Sequence, residues 1–213
     1  MTLTSEIMIG IGIGTGIGSI LTYFSLLRLT SKLEQTLQAE LVENRHEMVI
    51  AFRYRIHEIL SDAVARTTAS NALLFHVHNG TNFLTAGGKI YSSVVEEAPS
   101  DLLLSAFKEW QQVLVDFPYI ELLRRLKDQQ SVFLRTQDMP EGLLKMRYEA
   151  MGIKGSIVFM VYSGTKGGFY YASYPSTANE NDLTSNGDYV TFELNHQALR
   201  RVCEEYHDKG ILH

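Results

Sequence analysis

The sequence predicts an α+β domain with a central antiparallel sheet flanked by helices, behind a membrane-spanning segment and a helical stalk. Three observations lead there. Strand-like and helix-like runs cluster instead of alternating regularly, which favours an antiparallel sheet. Turn dipeptides and glycine clusters punctuate apolar runs of strand length. Residues 7–27 contain no charged side chain.

In chain order, residues 1–6 form a short tail without Lys or Arg, and Ile7–Leu27 follow as an uncharged run of 21 residues. As a helix that run is about 31 Å long, the thickness of a bilayer's hydrocarbon core. The absent basic start and the Tyr23, Phe24, Leu26, Leu27 ending speak for a retained anchor over a cleaved signal. Arg28, Lys32 and Arg45 follow the run, so the positive-inside rule places the single-pass protein's C-terminal domain in the cytoplasm. Gly10, Gly14 and Gly18 stack on one helix face, a spacing that lets two membrane helices approach closely. With glycines only at even positions, the dinucleotide fingerprint G-x-G-x-x-G is not met.

Residues 28–52 read as a helical stalk, without Pro or Gly as far as Ser70. Val42, Val49, Ile56 and Ala63 recur every seven residues, the pattern of a short parallel coiled coil and hence of a homodimer, with Arg45 and Arg66 interrupting the seam. The competing reading is an amphipathic helix packed on its own domain, favoured for the segment's second half.

The domain spans residues 53–213. A strand over Asn71–His78 meets the turn dipeptide Asn79-Gly80, and Lys89–Val95 forms a second strand. Helical patterns cover Ser100–Asp116 and Tyr119–Gln129, a strand covers Ser131–Arg135, and a short helix covers Pro140–Ala150. Ile153–Ser163 and Gly168–Tyr174 make a hairpin around a glycine-rich turn, and a last helix runs from Asp188 to about His207.

Met151-Gly-Ile-Lys-Gly-Ser-Ile-Val-Phe-Met-Val-Tyr162, then Thr165-Lys-Gly-Gly168 and Phe169-Tyr-Tyr-Ala-Ser173, resembles the final hairpin of the GAF fold, a relative of PAS domains. The likeness covers about residues 53–207. It implies N- and C-terminal helices packed behind the sheet and a sensory or regulatory module that binds a small-molecule ligand or a partner protein. It transfers no ligand-contacting residue, and no cysteine stands where bilin-binding members carry one. Output would pass through the stalk or a separate protein.

Composition narrows function further. A net charge of −5 over 213 residues argues against non-specific nucleic-acid binding, and the single Cys203 excludes an internal disulfide. His76 and His78, two apart on a strand, project to one face and with Asn79 border a candidate pocket. Tyr91, Tyr162, Tyr170 and Tyr171 lie on strands that could line it. Two imidazoles at this spacing need a third ligand to hold a metal, so no metal site is assigned. Asp182, Asn186, Gly187 and Glu193 nearly fit a calcium loop, but Thr184 and Val190 break it and helix capping explains them. Glu96-Glu97 reads as solvated surface. No nucleophile, phosphate-loop or metalloprotease motif is present, so the expectation is no enzyme and no assigned cofactor. The alternative is a structural or membrane-associated protein, viral ones included, with a ligand-free GAF-like fold. Membrane anchoring has a direct test: the full chain should stay with membranes through alkaline carbonate washing while a chain starting at Arg28 is released. Release of both would remove the anchor.

Overall fold

The computed structural model describes residues 42–79, 89–101, 105–164, 168–178 and 182–209. The expected membrane span, its Gly10, Gly14 and Gly18 face, residues 28–41 of the stalk and the turn at Gly80 lie outside them. Among the described residues, no helix is long and apolar enough to cross a membrane.

Helix α1 covers residues 42–66. Five of the strands that follow are substantial: β1 (Asn71–His78), β2 (Tyr91–Pro99), β4 (Ser131–Arg135), β5 (Gly155–Ser163) and β6 (Phe169–Ser176). β3 is the two-residue Val113–Leu114. Helices α2 (Phe117–Gln129), α3 (Leu143–Ala150) and α4 (Asn186–Asp208) complete the domain. The six strands form one sheet in the order β3-β2-β1-β6-β5-β4, and every pairing is antiparallel.

Both sheet faces are buried, so strand alternation sorts side chains between two cores. Behind the sheet, α1 and α4 run antiparallel. Just past the end of α1, Thr68 donates its backbone N–H and its hydroxyl to Asp188 Oδ2 in the first turn of α4 (2.8 and 2.6 Å). At the other end Arg55 donates to Glu205 (2.6 Å). Phe52, Ile56, Leu60 and Ala63 of α1 are at most 2% exposed, so this part of the helix belongs to the domain's own core. Val49 stays 36% exposed, so the residues spaced by seven do not share one seam. From α4, Phe192, Leu199, Val202 and Cys203 are buried, with Phe192 stacked on Tyr174 (4.6 Å) and Tyr206 on Phe52 (5.1 Å).

On the opposite face α2 and α3 enclose the second core. Asp116 ties their N-termini together: its side chain accepts from Tyr119 N (3.1 Å), capping α2, and from Leu143 N (2.7 Å), at the start of α3. Gly142 is required there, because a Cβ would sit 2.7 Å from Asp116 Oδ2 and 3.1 Å from the Pro118 ring.

One expected element is corrected. Residues 105–112 are not a helix: they form an irregular segment leading into β3, with Gln112 at φ 51°. The apolar spacing is real, since Ala106 and Trp110 are 1% exposed, but only a single turn closes, from Trp110 N to the Ala106 carbonyl, and hydrogen bonds to β2 hold both of its ends. Elsewhere elements fall where expected with shifted ends. β2 extends four residues further, to Pro99, and α4 ends one residue later, at Asp208.

The double burial sets a stability expectation. Leu60→Ala, at a fully buried position, should cost about 2–5 kcal/mol, whereas Val190→Ala, 53% exposed, should cost under about 0.5 kcal/mol in urea denaturation. Similar costs at the two positions would mean α1 is not core.

Candidate functional site

The candidate site is the aromatic interior between the sheet and α2–α3. Leu73 and Phe75 of β1, Tyr171 and Ser173 of β6 and Val158 of β5 point into it, opposite Trp110, Tyr119 and Tyr148. The rings fill it by direct packing. Phe75 stacks on Tyr171 (4.8 Å, 4° between planes), and Trp110 meets Phe75 and Tyr148 edge-on (5.4 and 5.9 Å). Among the described residues, what remains there is a void of about 10 Å³, at most one water molecule.

The polar groups here largely satisfy one another. Tyr171 Oη bonds to Tyr119 Oη and lies 2.8 Å from Ser92 Oγ, and Ser156 and Ser173 hydroxyls pair at 2.7 Å. Burial raises the Tyr148 hydroxyl above its ordinary titration range and pushes those of Tyr119 and Tyr171 well above it, so they stay neutral. Among the described residues, Trp110 Nε1 is a buried donor without a hydrogen-bond partner. No group of three metal-ligating side chains occurs among the described residues.

The residues singled out from sequence lie elsewhere, Tyr171 excepted. His76, His78, Tyr91, Tyr162 and Tyr170 share the sheet's other face, the one covered by α1 and α4. His76 pairs with Tyr170 and Ser93, and His78 with Tyr91, in strand register. The His76 ring stacks on Tyr170 (4.5 Å) and His78 (5.5 Å), and Tyr162 packs against His207 (4.9 Å). His78 Nε2 lies 2.9 Å from Ser93 Oγ, which also accepts from Gln112 N. Asn79 follows directly at the end of β1.

Sequence reasoning missed Phe75, Trp110, Tyr119 and Tyr148 as cavity residues. Parity along β1 separates Phe75 from His76, but which face held the cavity was not encoded in the strand. Trp110 was hidden in the segment read as helix.

Solved structures resemble the chain in fold. The chain is similar to the GAF domain of a two-component sensor histidine kinase from Bacillus halodurans, 13% identical over 73% of this chain and 95% of that one, with a TM-score of 0.51. It is also similar to the phycocyanobilin-bound GAF domain of a cyanobacterial phytochrome, 13% identical over 78% of this chain and 96% of that one, TM-score 0.48. The first of these likenesses shows a GAF-like fold. No protein-family profile and no curated protein sequence matches the chain.

The histidines behind the sheet make stability depend on pH. Burial, aided by the neighbouring His78, lowers the His76 pKa to about 4, and burial also lowers those of His78 and His196. Below about pH 6.5 the unfolded chain binds protons that the folded one refuses. Stability should be full above pH 6.5 and fall toward pH 4, by up to about 1.4 kcal/mol per pH unit for each refused proton. His76→Phe, which keeps a ring on Tyr170, should flatten this slope in urea titrations between pH 4.5 and 7.5; an unchanged slope would exonerate His76.

Proposed function

We propose that the chain is a membrane-anchored, non-catalytic regulatory module whose GAF-like domain acts through protein contact, with a second copy of itself or a separate output protein, and not through a resident small ligand. The observation that carries this reading is the filled interior. Among the described residues, Phe75, Trp110, Tyr119, Tyr148 and Tyr171 occupy the space between sheet and helices, leaving about 10 Å³ there, far short of the roughly 300 Å³ or more of an ordinary ligand site; a separate, more open depression of about 330 Å³ is lined by Thr136, Gln137, Glu149 and Lys154. The regulatory role is supported by the GAF domain from Bacillus halodurans, which comes from a sensor histidine kinase. The membrane location rests on the uncharged run 7–27 and the basic residues after it.

Exposed apolar side chains on the domain's outer surface fit a protein contact. Ile50 and Tyr54 of α1 are 67% and 65% exposed, and Leu194 of α4 is 61% exposed.

Native mass spectrometry of the full chain released from detergent micelles tests the reading. The expected spectrum contains protein-only species, with a dimer population that Ile50→Asp/Tyr54→Asp converts to monomer. A stoichiometric co-purified small molecule would overturn the ligand-free reading. A strictly monomeric wild type would overturn self-association and leave a separate protein as the contact to be found.

A further inference from the structure

The expectation that Glu96-Glu97 is solvated surface is overturned: the two carboxylates sit on opposite faces of the sheet and each grips a different layer. Along β1, Leu74 pairs with Glu96 but Phe75 pairs with Val94, so Val95 is an extra residue in β2. The bulge changes the strand's parity. Ser92 and Val94 face the aromatic interior, and past the bulge it is Glu97, not Glu96, that does so.

Behind the sheet, α1 holds the bulge at four points. Arg53 donates to Glu96 Oε2 (3.0 Å) and to the Val95 carbonyl (3.0 Å). His57 Nδ1 lies 3.3 Å from Glu96 Oε1 and 3.1 Å from the Glu97 carbonyl oxygen. On the cavity side Glu97, 7% exposed, accepts from Asn71 Nδ2 (2.6 Å), Ala106 N (2.6 Å) and Ser105 Oγ (2.9 Å). From there one turn leads to the indole. Trp110 N donates to the Ala106 carbonyl (3.2 Å), and the Trp110 carbonyl accepts from Val94 N (3.1 Å), beside the bulge.

We propose that this bulge couples the seating of α1 to the seating of Trp110 in the aromatic interior. Residues 96 and 97 are joined by one planar peptide about 3.8 Å long, so a displacement of the Glu96 carboxylate with α1 is passed to the Glu97 side chain and the segment it holds. The indole N–H has no hydrogen-bond partner, so the ring is held by its packing against Phe75 and Tyr148 and by the Arg147 guanidinium 5.7 Å from its centre, and a shift of the segment that carries it breaks no side-chain hydrogen bond. Arg53 and His57 are about half exposed, so the helix side of the coupling can be released without opening the core. The regulatory purpose of this coupling rests on the function proposed above, but its existence is measurable without any partner.

Trp110 is the chain's one tryptophan, so its fluorescence reports the interior alone. In the full chain in detergent micelles, well below each variant's unfolding temperature, Arg53→Ala and Glu96→Gln should red-shift Trp110 emission and raise its acrylamide quenching by about twofold or more. Arg55→Ala breaks an ion pair on the same helix that faces Glu205 on α4, and should leave both signals at the wild-type value. A thermal-unfolding cycle supplies a second readout: Arg53→Ala and Ser105→Ala, on opposite faces, should be non-additive, while Arg55→Ala and Ser105→Ala should add. Wild-type emission and quenching in Arg53→Ala and Glu96→Gln, an equal response in Arg55→Ala, or additivity in both cycles would overturn the coupling. A co-purified ligand in the mass spectrum would instead overturn the functional reading and leave this result standing.

Discussion

The extra residue at Val95 decides which side chains of β2 enter which core, and both cores depend on that choice. Without it, strict alternation would carry the Glu96 carboxylate into the aromatic interior behind Ser92 and Val94, and would turn Glu97 toward α1. A carboxylate is tolerated in an apolar interior only where several donors meet it. The bulge moves the buried acid to the rim, where Asn71, Ser105 and the Ala106 amide supply three hydrogen bonds. The other acid is released to Arg53 and His57 on the helix side. The polar contacts of α1 with β2 and the anchoring of residues 105 and 106 on Glu97 both follow from this one local irregularity.

With those residues placed, the interior closes by aromatic packing. Each ring pair contributes about 0.5–1.5 kcal/mol beyond its buried area, and the hydroxyls of Ser92, Tyr119 and Tyr171 remove one another's need for water. A small molecule entering here would have to replace ring contacts and break a satisfied hydroxyl group cluster. Trp110, like Phe75, has no side-chain hydrogen bond and is held by ring packing, with the Arg147 guanidinium 5.7 Å from its centre. The interior is thus closed by packing as a whole, and the β2 bulge positions one of its rings.

Much of the fold could be read from the sequence because local signals agreed with the tertiary outcome. The β5–β6 hairpin, α2 and α4 each had periodic apolar residues bounded by polar or glycine-rich stretches, although the caps are Asp116, read as the end of a preceding helix, and Ser185, one residue before the expected Asn186. The interior was much less legible. In a sheet buried on both faces, Phe75 and His76 are both core positions, and alternation reports that they differ without reporting which faces the cavity. His76 and His78 attracted attention as polar residues in an apolar strand, yet they serve the helix-covered face. Trp110 and the two glutamates were misread for one shared reason. Their environment is made by contacts far apart in sequence, Glu97 to Ala106 and Arg53 to Glu96, and no periodicity records such contacts.

Residues 50–57 of α1 bring three roles onto adjacent faces of one helix. Phe52 and Ile56 are core, Arg53 and His57 hold the bulge, and Ile50 and Tyr54 face outward. At about 100° per residue, Arg53 and His57 fall between the buried stripe and the exposed pair, within one turn of each. A protein that covered Ile50 and Tyr54 would therefore bear on the side chains that grip Val95 and Glu96 before it reached any core residue. A buried stripe resists displacement because packed interiors yield little, whereas half-exposed polar contacts exchange with water at small cost. The polar contacts are then the part of α1 that an external contact can change while the domain stays folded, and they lead to Trp110, whose indole N–H has no hydrogen-bond partner.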